Sequence, residues 1–169
     1  MTFDDLLPTR VDGDLRLRPV RIPDDIPHAV PWYHDPEVLH FSEGEGTPPY
    51  DAAMVERMFR DMTTRCEVYV VEVERDGGWR PIGDAALCQF AGTPITIGDA
   101  AFRSRGLGRR VLALLIARAR ALGWIRMVVS GIFTDNVRAR RLYEGAAFRI
   151  TGATGETDRA MWTMELPLT

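Results

Sequence analysis

Arg103-Ser104-Arg105-Gly106-Leu107-Gly108-Arg109 follows the β-rich stretch Thr93 to Gly98 and runs directly into an amphipathic segment. The segment from Gly108 to Leu122 carries Val111, Leu112, Leu115, Ala119 and Leu122 at helical spacing, and Gly123 supplies its stop. A strand, a glycine-bearing turn and a helix in that order make a site for a phosphate group. The glycines let backbone amides come close, and the free N–H groups with the positive end of the helix dipole attract an anion. Arg103, Arg105 and Arg109 add planar guanidinium donors that fit phosphate oxygens.

Two familiar phosphate loops are excluded. The dinucleotide fingerprint fails because Val111 stands where its third glycine belongs, and no parallel βαβ run surrounds it. The Walker loop requires a lysine, and all 21 basic residues of this chain are arginine.

On the N-terminal side, Leu15 to Val20 alternates apolar residues with arginine, the pattern of a half-buried strand. Prolines 23, 27, 31 and 36 predict short or kinked helical pieces between Arg21 and Ser42, and EGEGTPPY at 43–50 reads as a loop. Asp51 is placed to cap a helix with Met54, Val55, Met58, Phe59 and Met62 on one face. Cys66 to Glu74 and Arg80 to Phe90 are β-rich runs joined across Asp76-Gly77, a hairpin signal. On the C-terminal side, Ile125 to Phe133 reads as a strand buried on both faces, and Asn136 to Ala146 as a helix. A closing hairpin, 148–152 with 159–166, completes an α+β order around one sheet.

At 169 residues the chain is expected to form one domain, burying about two-thirds of its unfolded surface. Apolar runs fall short of the roughly 20 residues that span a bilayer, and residues 1–10 lack signal-peptide order, so the expected compartment is the cytoplasm and no membrane partner is expected. Cys66 and Cys88 are read as reduced core thiols. A net charge of −3 argues against a nucleic-acid partner, while the arginines gathered between 103 and 149 suit a polyanionic small ligand. His28, His34 and His40 stand six apart, which matches no metal-site spacing, so no metal is expected.

A second segment adds to the loop. Asn136-Val137-Arg138-Ala139-Arg140-Arg141-Leu142-Tyr143, followed by Phe148, stands at the right distance after R-x-x-G-x-G to resemble the GNAT superfamily of acyl-CoA N-acyltransferases, with its N-x-x-A-x-x-L-Y and G-F. LRLRPVRIPDD and WYHDPEVLHF further resemble the branch with ribosomal-protein N-terminal serine and alanine acetyltransferases. The resemblance implies a mixed, mostly antiparallel sheet of about seven strands flanked by about four helices. It implies acetyl-CoA as co-substrate and an amine acceptor, either a small molecule or a protein N-terminus; the oligomeric state stays open, a homodimer included.

Carried onto this chain, the resemblance gives backbone contacts to the acetyl and pantetheine groups from Thr96, Ile97 and Gly98. Ser104, Arg105, Gly106, Leu107, Gly108 and Arg109 would hold the pyrophosphate, with Arg103 beside them, and Asn136 would touch the pantetheine arm. Tyr143 would protonate the departing thiolate, as a phenol that keeps its proton at neutral pH. From the residues alone, Tyr143 is equally a core aromatic and Asn136 a helix cap. Two positions depart from the family pattern: Ala147 replaces the glycine of G-F, and Gly131 stands where that branch carries a glutamate base.

A base to take the amine proton must then come from elsewhere. Asp84 is preferred, with Asp99 and Glu72 as the other candidates. The acceptor is expected over the Pro-rich segment, walled by Trp32, Tyr33, Phe41 and Tyr50, with His34 beside Asp35 and the acids Asp35, Glu37, Glu43 and Glu45 attracting a cation. Two readings compete with an enzyme: a non-catalytic acyl-CoA-binding or interaction module that keeps the loop, and a nucleotide binder of another kind.

Overall fold

The computed structural model describes residues 7–89, 92–155 and 159–169. Among these residues there are eight strands and five α-helices. β1 (Arg10–Asp12) and β2 (Leu15–Pro19) form a hairpin; α1 (Ile26–Ala29), a 3-10 turn (Trp32–His34), α2 (Pro36–Ser42) and α3 (Ala52–Thr63) follow. β3 (Cys66–Arg75), β4 (Gly78–Cys88) and β5 (Ile95–Ile97) come next, then α4 (Leu107–Ala121), β6 (Arg126–Phe133), α5 (Val137–Gly145), β7 (Arg149–Thr154) and β8 (Met161–Pro167). Phe90, expected at the end of a strand, lies outside the described residues.

Local chemistry sets the element ends. Asp76 and Gly77 both take positive φ, 52° and 78°, the pair that a two-residue hairpin turn requires. The Asp51 carboxylate accepts from Met54 N at 2.8 Å and starts α3, as its position predicts. Each proline-bearing helix between 26 and 42 is a single turn or two, with its proline in the first turn, where the missing N–H costs no helical hydrogen bond.

The strands form two antiparallel sheets rather than one: β1-β2-β3-β4-β5 and β6-β8-β7. Period-two alternation gives the larger sheet two apolar faces. Leu15, Leu17, Tyr69, Val71, Ala85 and Leu87 pack under α4, while Val68, Val70, Ala86 and Cys88 pack under α1 to α3 with Val55 and Phe59. Asp84 shares the second face with Ala86 and Cys88. β6 is not buried on both faces. Met127, Val129 and Ile132 point inward and the rest are at least partly open; its strand partner among the described residues is β8.

Cys66 and Cys88 are not free thiols. The β3–β4 register sets them directly opposite with Cα atoms 4.5 Å apart, within disulfide reach, and they are bonded to each other. Spacing along the chain could not reveal this, because the pairing follows from the hairpin register.

Ala147 has φ +70° at the end of α5, a conformation that costs a residue with a Cβ about 1–2 kcal/mol and glycine almost nothing. Ala147→Gly is therefore expected to stabilise the protein by about 1 kcal/mol, raising Tm by about 2–4 °C in a thermal unfolding experiment. An unchanged or lower Tm would contradict the strain.

Candidate functional site

β5 and β6 are edge strands of different sheets and share no ladder. At one end their backbones come close: Gly92 faces Val129 and Ser130, where an added Cβ would lie 3.7 Å from Ser130 N. Along the rest of its length β5 has no ladder partner on this side among the described residues. The bonds of β5 to β4 decide which groups face the other way. Ala86 N donates to Pro94 O, so Pro94 turns its carbonyl, and Thr96 its amide and carbonyl, to β4, whereas Ile95 and Ile97 turn theirs to the unpaired edge. The Thr96 backbone, expected to meet the ligand, is engaged across the ladder, and Ile95 presents both its backbone groups to the open edge.

The head of α4 lies at the exit of β5. Ser104 (φ 58°) and Gly106 (φ 76°) take left-handed conformations that turn the chain into the helix. Among the described residues, no carbonyl or side chain accepts from the amides of Ser104, Arg105, Gly106, Leu107, Gly108 or Arg109. These donors surround the positive end of a 15-residue helix. Gly108 faces Leu142 of α5, with an added Cβ 3.6 Å from its methyl carbon, so the two helices meet there.

The arginines divide. Arg105 and Arg109 are exposed, and the Arg105 guanidinium lies 5.6 Å from the Phe102 ring centre. Arg103 is committed elsewhere, correcting its place among the phosphate donors. Its Nε donates to Ile97 O at 2.8 Å and its Nη2 to Gly98 O at 2.9 Å, while Asp35 (2.8 Å) and Glu37 (3.2 Å) pair with its charge. Arg103 thus ties the end of β5 to α2. It also occupies the carbonyls of Ile97 and Gly98, so on the open edge the free groups are the Ile97 amide and both groups of Ile95.

Asn136 caps α5, its Oδ1 accepting from Ala139 N at 3.0 Å. Tyr143 is buried, edge-on to Phe148, and its hydroxyl donates to Thr93 O at 2.7 Å. Burial alone pushes this phenol well above its usual range, so it stays protonated. Gly131, at φ 83°, sits in the β6 bulge opposite β8, a position that suits glycine and not a glutamate.

The three carboxylate candidates separate by environment. Glu72 accepts from Arg18 at 3.0 and 3.1 Å and pairs with Arg16, in a cluster where Arg18 also grips Asp25 with two bonds of 2.9 Å. Asp99 caps a second 3-10 turn (Ala100–Phe102) at Ala101 N (3.0 Å) and pairs with Arg80 (2.9 Å). Both of these carboxylates are thus engaged by arginines. Asp84 has no cationic partner among the described residues. It is 3% exposed, opposite Thr96 on β5, and among those residues its side chain has one hydrogen-bond partner, the Tyr33 hydroxyl at 2.9 Å. Burial pushes its carboxyl up to about 7, and the Tyr33 hydrogen bond only partly opposes the rise.

Of the expected acceptor wall, Trp32 is packed against Gly98, where any Cβ would collide with the indole. Tyr33 and Tyr50 stack at 5.8 Å, and Phe41 meets His40 edge-on at 4.6 Å. His34 Nε2 bonds Tyr50 O at 2.9 Å, fixing the loop to the 3-10 turn. Asp35 and Glu37 are neutralised by Arg103, and Glu37 also by Arg138 at 3.0 Å, whereas Glu43 and Glu45 are exposed at the loop. A surface depression of about 650 Å³ touches Trp32, Gly98 and Asp99 but includes neither Asp84 nor Tyr143. Among the described residues, no group of three or more His, Cys, Asp or Glu could hold a metal, and no helix is long and apolar enough to cross a membrane.

Comparison with known proteins follows this geometry. The chain superposes on a domain from Methanocaldococcus jannaschii with a TM-score of 0.79 at 17% identity, over 92% of this chain and 99% of that one. It superposes on aminoglycoside acetyltransferase AAC(6')-Ib in complex with coenzyme A (TM-score 0.74, 17% identity, 90% and 94% covered). A third similar structure is spermidine N-acetyltransferase from Vibrio cholerae in complex with coenzyme A and spermine (TM-score 0.74, 15% identity, 93% and 97% covered). At these identities the likeness is one of fold. No curated protein matches the sequence. The family model described as the acetyltransferase (GNAT) domain matches residues 14–149, most of the chain, and the chain therefore belongs to the GNAT acetyltransferase family.

Proposed function

We propose that the protein is an N-acetyltransferase that moves the acetyl group of acetyl-CoA to a primary amine, on a small molecule or a protein N-terminus, by direct attack. The observation that carries this reading is a buried carboxylate with no cation, raised to about 7, on the sheet whose open edge leads to the bare amides of α4. Acetyl-CoA supplies the activated acetyl as a thioester. The amides of Ser104 to Arg109 fit its diphosphate, and the backbone of Ile95 and Ile97 fits the amides of its pantetheine arm. Complexes of similar folds with coenzyme A support the fit.

Asp84 is the general base. A carboxyl near 7 is ionised often enough at neutral pH to accept the proton of an incoming ammonium, and basic enough to hold it. As the C–N bond forms and the C–S bond breaks, the departing thiolate takes the Tyr143 proton. The hydroxyl is turned toward Thr93 O, and rotation about its C–O bond redirects the proton without moving the ring. Glu43 and Glu45, which have no arginine partner among the described residues, favour a cationic acceptor.

Tyr143→Phe is expected to lower kcat for acetyl transfer to a panel of primary amines by about 10²-fold while changing the coenzyme A Kd less than about threefold. Equal losses of both would remove the acid role. Full binding of acetyl-CoA with no thiol release on any amine would point to the non-catalytic module instead.

Asp84 also predicts a pH dependence of stability. Its folded carboxyl lies above the unfolded one, so between about pH 4 and 7 the folded state holds a proton that the unfolded state has lost, and stability falls as pH rises. Asp84→Asn should flatten that slope in urea unfolding across pH 4 to 8 and abolish the acidic limb of kcat/KM near 7. A wild-type slope unaltered in the variant would contradict this placement of the proton.

A further inference from the structure

The Asp84 carboxylate depends on a residue from a distant segment. Tyr33 donates to its Oδ2 at 2.9 Å from 51 positions away, and both groups are buried. Several contacts fix that hydroxyl. Trp32, its neighbour, is locked against Gly98; the Tyr33 carbonyl accepts from Tyr50 N at 3.1 Å; and its ring stacks on Tyr50 at an interplanar angle of 14°. The 3-10 turn continues into α2, which Arg103 ties to the end of β5 through Asp35 and Glu37. The donor is thus anchored to the same strand that pairs with the Asp84 segment.

We propose that Tyr33 is the positioning residue of the reaction: its anchored hydroxyl orients the Asp84 carboxylate toward the acceptor and stabilises its charged form. This rests on the reading of Asp84 as the base. A carboxylate buried without a cation is strongly disfavoured, and a hydrogen bond to the charged form is the remaining means of keeping it ionised in the neutral range. Few other groups act on the pair. Glu43 at the end of α2 acts on Tyr33 and Tyr50, and the side chain of Thr96 borders the Tyr33 hydroxyl. β3 presents Val70 opposite Asp84, while α1 and α3 present Ile26, Ala29, Val55 and Phe59 to this face of the sheet. Asp25 of the same region is gripped by Arg18. Burial lifts the Tyr33 phenol itself well above its usual range, with the Asp84 charge adding to the effect, so the hydroxyl remains a donor wherever the enzyme works.

The position of the Pro-rich acceptor wall is thereby read directly by the base. A shift of the 3-10 turn that lengthens the 2.9 Å bond would let Asp84 take up a proton and switch it off.

The test is a carbon-13 NMR titration of the Asp84 carboxyl in the intact protein, with Asp84→Asn to assign the signal and coenzyme A binding as the check on folding. Tyr33→Phe should raise the titration midpoint by about one to two pH units and move the acidic limb of kcat/KM for primary amines by the same amount, so that activity lost at pH 7 returns at higher pH. Site-specific 3-fluorotyrosine at position 33, a stronger donor of nearly the same shape, should move the midpoint the other way. A midpoint unmoved by both changes, or a loss of activity that high pH does not restore, would overturn the positioning role. Undiminished acetyl transfer by Asp84→Asn would instead remove Asp84 as the base, whatever Tyr33 does to its titration.

Discussion

The unpaired amides at the head of α4 are the constraint around which the other parts are arranged. Six backbone donors without an internal acceptor, at the positive end of a helix, are stable in water but not if covered by protein, so the structure must leave that corner open. The split between β5 and β6 does so. A continuous sheet would have closed the edge of β5, whereas two separate sheets leave Ile95 and Ile97 on an edge with no ladder partner among the described residues. Arg103 holds the shape of this corner from behind, a structural task for a residue whose position in the motif suggested a ligand contact.

The catalytic reading then follows from burial as much as from residue type. Three acids stood near the right place in the sequence. Two are engaged by arginines: Glu72 by Arg16 and Arg18, and Asp99 by Arg80. A cation-free apolar surround, by contrast, makes a carboxyl more basic. Asp84 alone of the three has that environment: α1 and α3 cover its face of the sheet with Ile26, Ala29, Val55 and Phe59, and the 3-10 turn at 32–34 supplies Tyr33.

Features written in local chemistry were legible in the sequence. The Asp76-Gly77 turn, the Asp51 cap, the α4 stripe ending at Gly123 and the loop at 103–109 each depend on neighbours within a turn or two, and each stands where those neighbours put it. What escaped depended on register or on distant partners. The disulfide follows from the β3–β4 pairing, the inward turn of the Thr96 backbone from that of β4 and β5, and the commitment of Arg103 from acids such as Glu37, 66 positions away. Tyr33 was visible as an aromatic of the acceptor wall, but nothing in its spacing tied it to Asp84. The positive φ of Ala147 was signalled, since a family pattern with glycine at that position marks a left-handed residue.

Amide NMR of the nitrogen-15-labelled protein titrated with coenzyme A addresses the α4 site most directly. Saturable shifts concentrated at the amides of Ser104 to Arg109, with smaller ones at Ile95 and Ile97, are expected if these donors receive the diphosphate and the pantetheine arm. Amides of that loop left unmoved by millimolar coenzyme A, in protein that is folded by the same spectra, would contradict it.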